Sequence, residues 1–253
     1  MDFFLTFGYH LSMRWIYLSP HFDDAVLSCG GMIWEQVQSG EAVENWTICA
    51  GNLPRGDLSE FAAQKHAEWR VGRKVIAARR EEDRQANGRV GAETRWWSLP
   101  DCIYRRLPDG EPLISENDDL WLPVHPGEME HITRLRAWLR RGLKADDRLV
   151  VPLTLGNHVD HRLVRAAAEG LRRPLYYYAD FPYVARSSLW QPRGLAEENI
   201  YTRAISEPAL AAWQEGSGAY ISQVSDLFGS HDGLLVQLRE FWERGGGSFL
   251  WIN

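Results

Sequence analysis

Short apolar runs alternate with amphipathic segments along most of the chain. Residues 15–18 form an apolar run typical of a buried strand, and residues 26–37 then place apolar side chains at helical spacing until Ser39 and Gly40. Further strand-like runs occupy residues 44–50, 94–99, 148–155 and 175–179. Because these strands are separated by helical patterns, we predict an α/β fold, a Rossmann-like, mostly parallel sheet with helices on both faces.

Helical patterns occupy most of the remaining chain. Residues 59–87 are charged and predicted to be mostly helical, with Gly72 as an interruption. The other predicted helices are residues 129–143, residues 163–171, and one or two helices between residues 207 and 243. Within the first helix, Gly30 and Gly31 predict close packing of that helix on a strand, and Cys29 beside them is expected to be a core residue.

The length of 253 residues suits one domain, and we expect residues 1–253 to form it, with residues 1–12 as an N-terminal extension before Met13. The apolar start lacks the basic stretch and cleavage site of a signal peptide, and no apolar run approaches the roughly 20 residues that cross a bilayer. The three cysteines, Cys29, Cys49 and Cys102, include no C-x-x-C pair and predict reduced, buried thiols. We therefore expect a soluble, cytoplasmic protein without disulfides.

Composition and charge exclude several classes of protein. Hydrophobic residues make up 45% of the chain and charged residues 25%, which is typical of globular domains and not of disordered or fibrous chains. The formal net charge of −6 opposes a broad cationic surface for nucleic acid, and no G-x-G-x-x-G follows the first strand. We expect neither nucleic acid nor a membrane as a partner, and a homo-oligomer stays open.

Metal-ligand side chains follow two of the predicted strands. The loop at residues 19–25 supplies one imidazole and two carboxylates, and the loop at residues 156–161 supplies two imidazoles and one carboxylate. These side chains are His21, Asp23, Asp24, His158, Asp160 and His161. The carboxyl ends of parallel strands share one edge of the sheet, so we expect the two loops to lie close together. Three such ligands suffice for a catalytic zinc ion, whose fourth position stays open for water.

The spacing within each loop indicates a division of roles. Asp23 and Asp24 are adjacent in a turn and point in different directions, so one can bind a metal while the other accepts a proton from water. His158 and His161 are three residues apart at the start of a helix, so one can reach the metal and the other the substrate. Each motif alone also suits a helix N-cap, and their matching positions at strand ends favour the metal interpretation.

The two motifs, His21-Phe-Asp-Asp24 and His158-Val-Asp-His161, resemble those of the LmbE-like, or PIG-L, family of metal-dependent de-N-acetylases. The resemblance implies a zinc-dependent hydrolase that removes an N-acetyl or N-acyl group from a small-molecule amino sugar, glycoside or related substrate. It implies one zinc ion per chain, with Fe²⁺ or another divalent metal as alternatives. The implied ligands are His21, Asp24 and His161, with Asp23 as the general base, His158 as the acid and oxyanion stabiliser, and Asp160 as the residue that orients a motif histidine.

Three further segments extend the resemblance. The family's R-x-x-E helix motif resembles residues 79–82, which implies that Arg79 faces the substrate, with Arg80 as the reserve choice. Residues 175–183 resemble an aromatic strand and loop that border the pocket in a bacterial branch of the family. We expect residues 101–125, which are rich in Pro, Gly and Asp, to cover the site as a lid, and residues 181–195 to shape it with them.

Two positions depart from the commoner AHPDDE form of the first motif. Phe22 replaces the proline and Ala25 the final glutamate, which leaves the implied ligands intact and bears on substrate preference. The remaining histidines have no partner pattern and are assigned surface or structural roles: His10, His66, His125, His131 and His231.

Two other functions are compatible with the motifs. His21-x-Asp23 with a distant histidine also spells the ligand triad of non-haem Fe(II) oxygenases, although the helical periods after both motifs oppose the double-stranded β-helix in which that motif usually occurs. A sugar-binding module of the same fold without turnover is the second alternative, and the intact set of motif residues opposes it. Metal content with dioxygen consumption tests the first alternative, and substrate depletion with and without a chelator tests the second.

Overall fold

The computed structural model describes residues 13–69, 72, 74–186 and 199–253. The predicted N-terminal extension, with His10, lies outside the described residues, and so does the part of the predicted pocket segment after residue 186.

A central sheet carries the fold, and within the described residues it has seven strands in the order β3-β2-β1-β4-β5-β7-β6. The strands are β1 (Arg14–Ser19), β2 (Ala42–Thr47), β3 (Glu93–Trp96), β4 (Arg148–Pro152), β5 (Leu175–Tyr178), β6 (Ile200–Thr202) and β7 (Phe249–Ile252). Strands β1 to β5 pair in parallel, whereas β7 is antiparallel to both β5 and β6. The mostly parallel sheet predicted from the alternating pattern is therefore confirmed.

Helices cover both faces of the sheet. They are α1 (Asp24–Gln38), α2 (Glu60–Glu68), α3 (Val75–Val90), α4 (Met129–Gly142), α5 (Val159–Glu169), α6 (Glu207–Gly218), α7 (Ile221–Phe228) and α8 (His231–Glu243). Because side chains alternate along β1, Trp15 and Tyr17 pack with residues of α1 and α3, and Ile16 and Leu18 pack with residues of α4 and α5. None of the helices in the described ranges combines the length and the apolar character that crossing a membrane requires.

Several element boundaries differ from the sequence prediction. The charged segment forms two helices, α2 and α3, with Gly72 between them as predicted. The segment after residue 207 forms three helices rather than one or two, because Ser230 caps a separate α8 by accepting from the Gly233 N–H at 3.0 Å. Helix α5 begins at Val159, earlier than predicted, and the short strands β6 and β7 were not predicted.

Gly30 and Gly31 allow a close approach of α1 and α6. A Cβ atom added at Gly30 would lie 2.3 Å from Cδ1 of Trp213, and the Trp213 indole N–H donates to the Val26 carbonyl at 2.7 Å. The prediction that these glycines pack on a strand is wrong, because their partner is a helix. Cys29 is a buried core residue as predicted, and the three cysteines are buried and free of disulfides.

The order in which successive strands join the sheet reverses between β1 and β4, which are neighbours in it. Strands β1 and β4 pair in parallel, yet α1 and α5, the helices that follow them, pack on opposite faces of the sheet. In open α/β sheets the loops at such a switch point separate and leave a crevice at the carboxyl ends of the strands. Both motif loops open into this crevice.

Candidate functional site

The loop after β1 is a tight turn that sets the first motif at the end of the sheet. The Ser19 hydroxyl accepts from the Ala25 N–H at 3.0 Å and donates to the His21 carbonyl at 2.5 Å. The second motif follows a turn in which Asn157 adopts φ of 60°, a conformation that asparagine tolerates well. These turns bring His21, His158 and His161 together, with one ring nitrogen of each within 4.8 Å of the others.

Asp24 lies between two of the motif histidines. Its Oδ1 is 3.2 Å from His161 Nε2, and its Oδ2 is 3.3 Å from His21 Nδ1. The His21 backbone N–H also donates to Asp24 Oδ2 at 2.7 Å, which fixes the carboxylate at the start of α1. The three residues that the resemblance implies as ligands therefore converge on one point.

His161 is prepared for a cation. Its Nε2 is buried and has no hydrogen-bond partner among the described residues, whereas its Nδ1 lies 2.6 Å from Asp180 Oδ1. A carboxylate at Nδ1 holds a proton there, so Nε2, which faces Asp24, is the nitrogen that would lose its proton and bind a cation. Imidazole nitrogens beside a carboxylate are typical ligands of divalent metals, and this donor set fits one.

The charges of the site hold Asp24 ionised. Burial opposes the charged form, but His161 and His21 keep the pKa of Asp24 well below its usual range. Burial likewise disfavours a charged His161, yet Asp24 and Asp180 raise the pKa of His161 to about 9. A pair of carboxylates directed at one imidazole thus creates a local preference for positive charge, which a divalent cation would satisfy.

Asp23 has a different environment from its neighbour. Its Oδ1 lies 3.5 Å from Arg79 Nη2, and its side chain lines the cavity in front of the histidines. Burial raises the pKa of Asp23, Arg79 lowers it and Asp24 raises it, with a net shift upward. Asp23 is thus a carboxylate of increased basicity at the cavity wall. Its contact with Arg79 also disfavours the His21-x-Asp23 iron triad, and the fold is not a double-stranded β-helix.

His158 caps helix α5 with its ring. Its Nδ1 accepts from the Asp160 backbone N–H at 3.2 Å, which is why the helix starts at Val159. In the neutral tautomer the proton then resides on Nε2, which becomes a hydrogen-bond donor. Burial lowers the pKa of His158 well below its usual range, and His21 and His161 lower it further. His158 is therefore a neutral donor at the cavity wall.

Asp160 lies behind His21 and holds it. Its Oδ2 is 3.1 Å from His21 Nε2 and accepts from the Cys102 N–H at 3.1 Å, and its Oδ1 lies 2.6 Å from Arg105 Nη2. Burial acts to raise the pKa of Asp160, but Arg105 and His21 hold it well below its usual range. This contact agrees with the expected role of Asp160 in orienting a motif histidine.

A cavity of about 330 Å³ opens in front of these residues. The predicted lid supplies part of its wall through Asp101, Ile103, Asn117, Leu120 and Trp121. The other walls include four aromatic side chains, Phe61, Trp69, Phe181 and Tyr183, and the polar side chains Lys65, Gln223 and Asp226. The 101–125 segment therefore covers the site as expected, while its movement stays a prediction. The volume suits a small molecule.

The two adjacent arginines have different positions. Arg79 lines the cavity, with Nη1 3.9 Å from Asp101 Oδ2 and its guanidinium 5.2 Å from the ring centre of Phe22. Arg80 is not among the cavity walls formed by the described residues: it donates to the Ala50 carbonyl at 2.5 Å and lies over the Trp96 ring. Of the two, Arg79 is placed to meet a substrate.

The charged residues of the site that were not predicted include Asp101, Asp180, Arg105 and Glu128, and also Lys65 and Asp226 of the cavity wall. Asp180 follows β5 and Asp101 lies shortly after β3, so the strand-end rule that found the motifs could have found both. Arg105 and Glu128 are joined by a buried ion pair at 2.6 Å. No local pattern indicates that pair, because the two residues meet only when the segment between them folds.

The matching family model and a curated relative are both described as deacetylases. A family model described as PIG-L, GlcNAc-PI de-N-acetylase, matches residues 16–171. The chain is 27% identical to 2′-N-acetylparomamine deacetylase of Niallia circulans over 252 residues, covering 90% of this chain and 89% of that protein.

Two solved structures share the fold. The zinc-inhibited form of teicoplanin deacetylase matches with a TM-score of 0.79 and 24% identity, over 95% of this chain and 97% of that one. A deacetylase of the teicoplanin biosynthesis pathway, in a complex, matches with a TM-score of 0.76 and 25% identity over the same shares.

Proposed function

Since this chain belongs to the PIG-L family and is a de-N-acetylase of an acetylated sugar-like substrate, we propose that it hydrolyses an N-acetylated amino-sugar glycoside with zinc held by His21, Asp24 and His161. The observation that carries the proposal is the buried Nε2 of His161, which has no hydrogen-bond partner among the described residues and faces a carboxylate shared with His21. When bound there, a zinc ion supplies Lewis-acid polarisation of the amide carbonyl and makes water more acidic.

Asp23 is the base of the proposed reaction. It removes a proton from the water whose oxygen attacks the amide carbon, because its raised pKa makes it a stronger proton acceptor than an ordinary carboxylate. Arg79 limits that rise and so favours the ionised form of Asp23, which is the form that accepts a proton.

His158 acts as a hydrogen-bond donor to the oxyanion. The lowered pKa of His158 favours a neutral ring, which donates from Nε2 to the developing negative charge on the carbonyl oxygen. A neutral ring is a poor source of the proton that the leaving amine requires. In place of the acid role expected for His158, we propose that Asp23 supplies that proton, returning the one it took from water as the C–N bond breaks.

Polar and aromatic walls of the cavity support a sugar substrate. Arg79 and Asp101 line the cavity with a hydrogen-bond donor and an acceptor that suit sugar hydroxyls, and Trp121 and Tyr183 line it with aromatic rings that suit the apolar faces of a sugar ring. The relative from Niallia circulans is a 2′-N-acetylparomamine deacetylase, which makes 2′-N-acetylparomamine the first substrate to test.

The test measures acetate and free amine released from 2′-N-acetylparomamine by the purified protein. We expect the two products in equal amounts, loss of activity after chelation and its return with Zn²⁺. Asp23→Asn should keep the metal and lose about 10²–10⁴-fold in turnover. Turnover that persists in the metal-free protein, or full activity of Asp23→Asn, would contradict the mechanism. Dioxygen consumption with bound iron would instead favour the oxygenase alternative.

A further inference from the structure

A buried chain of charged groups connects the 101–128 segment to the motif loops. Arg105 Nη2 lies 2.6 Å from Asp160 Oδ1 and 2.6 Å from Glu128 Oε2. The side chains of Arg105, Asp160 and Glu128 are 3%, 0% and 2% exposed. Neither Arg105 nor Glu128 is among the cavity walls formed by the described residues, and the side-chain contact that links them to the motif loops is the one with Asp160.

Stability alone is a weak explanation for such a chain. Removing three charged groups from water costs several kcal/mol for each ion, and replacing buried ion pairs by apolar groups is often neutral or stabilising. The arrangement instead fixes the orientation of the Asp160 carboxylate. Arg105 fixes Asp160 Oδ1 and also donates to the Pro100 carbonyl at 3.0 Å, while the Cys102 N–H fixes Asp160 Oδ2. The Asp160 carboxylate is therefore held at both oxygens by the 101–128 segment.

The held carboxylate determines which nitrogen of His21 is free. Asp160 Oδ2 is 3.1 Å from His21 Nε2, which keeps the ring proton on that nitrogen. The other nitrogen, Nδ1, then directs its lone pair to Asp24, 3.3 Å away. A rotation of Asp160 would release this constraint on the tautomer and the ring.

We infer that Arg105, held by Glu128, is a positioning residue for the metal site: it fixes Asp160 so that His21 presents Nδ1 toward Asp24. The inference rests on the proposed function, because it takes His21 and Asp24 as metal ligands.

The test compares Co²⁺ binding by the purified wild type and by Arg105→Met, measured by competition with a chromophoric chelator and by the visible spectrum of bound Co²⁺. We expect Arg105→Met to bind Co²⁺ about 10–100-fold more weakly and with an altered spectrum. The matched control is Arg14→Met. Arg14 also bridges two carboxylates, Glu44 and Asp147, but at the opposite end of β1 from His21. The Arg14→Met variant should have a lower thermal stability than the wild type and an unchanged Co²⁺ affinity and spectrum.

A second variant covers the case in which Arg105→Met does not fold. Arg105→Lys keeps the charge and loses the planar fork, so it should show a smaller loss of Co²⁺ affinity and an intermediate spectrum. Two outcomes would overturn the positioning role. One is that Arg105→Lys, and Arg105→Met if it folds, keep the wild-type Co²⁺ affinity and spectrum. The other is that Arg14→Met loses as much Co²⁺ affinity as the Arg105 variants. Both readouts are independent of substrate, so a wrong substrate does not affect them. A wild type that binds neither Co²⁺ nor Zn²⁺ overturns the proposed metal site directly, and this role with it.

Discussion

Asp180 Oδ1 lies 2.6 Å from His161 Nδ1, at the opposite ring nitrogen from the one that faces Asp24. The other carboxylate oxygen of Asp180 accepts from the Leu155 N–H at 3.2 Å, so the loop after β4 and the loop after β5 are tied together behind the histidine. Asp180 thus determines which nitrogen of His161 faces the metal site. Asp180 itself is only 1% exposed and is not among the cavity walls formed by the described residues.

Asp180→Ala should lower Zn²⁺ affinity about 10–100-fold, because His161 loses the acceptor that fixes its tautomer and ring position. Asp180→Asn should lose less, since an amide oxygen can still accept from Nδ1. Competition with a chromophoric chelator measures both affinities, and thermal unfolding of the apoproteins reports any loss of fold. An unchanged affinity in folded Asp180→Ala would show that His161 needs no such support.

Arg79→Met should move the acid limb of the kcat/KM profile to higher pH. Arg79 lowers the pKa of Asp23, so its removal raises that pKa, and a base with a higher pKa loses its proton only at higher pH. Arg79→Lys retains a positive charge and should show a smaller displacement. The measurement is kcat/KM across pH with a fixed substrate. An acid limb that stays in place, or moves to lower pH, would exclude Asp23 as the group that titrates there.

Gly156→Ala should disturb the aromatic wall over His161. A Cβ atom at Gly156 would lie 2.5 Å from Cγ of Tyr183, whose ring centre is 5.9 Å from that of His161. Tyr183 must move, at a cost of about 1–3 kcal/mol in stability, and KM should rise while zinc content stays the same.

The control for this substitution is Gly88→Ala in α3, where nothing lies within 4 Å of the added atom. It should stabilise the helix by up to about 1 kcal/mol and leave KM unchanged. An equal effect of the two substitutions on KM would remove Tyr183 from the explanation.

Asp83 should make the protein less stable as pH rises. Burial raises the pKa of Asp83 to about 7, although Trp96, Thr47 and Tyr220 donate hydrogen bonds that lower it. The unfolded chain loses this proton near pH 4 and the native state only near pH 7. The stability that protonated Asp83 gives the native state is therefore full below about pH 4 and declines up to about pH 7. The total loss is on the order of 4 kcal/mol.

Urea unfolding of the wild type and Asp83→Asn across that pH interval measures the effect. The difference in free energy of unfolding between the two proteins should change steadily in favour of the variant as pH rises. A difference that is constant with pH would show that Asp83 titrates as it does in the unfolded chain.

The general fold was predictable because its signals are local. The apolar run of β1, the helical spacing of α1 and the amphipathic pattern of α4 each occur within one stretch of chain, and parallel pairing follows from their alternation. The short strands β6 and β7 were not predicted, and they are defined by their antiparallel pairing with each other and of β7 with β5. The break between α6 and α7 follows Gly216 and Gly218, a glycine stop signal that the sequence prediction did not use.

The candidate site was predictable where its residues cluster in sequence. His21 and Asp24 share one loop and His158 and His161 another, so two strand ends suffice to bring them together. The supporting charges come from elsewhere in the chain, and Arg105 reaches Asp160 across 55 positions. Such a contact depends on the path of the backbone that connects the two residues, and the spacing of hydrophobic residues in the sequence does not predict that path.

Residues 105–128, between β3 and α4, have two roles that fall on different positions along the chain. The ends of this segment carry Arg105 and Glu128, which hold the buried carboxylate, whereas its middle carries Asn117, Leu120 and Trp121, which meet whatever occupies the cavity. Sequence exchanged between the anchors could alter selectivity for the bound molecule and leave hydrolytic competence intact. Residues 106–127 are therefore the segment to exchange when a new substrate specificity is engineered, with Arg105 and Glu128 retained at its two ends.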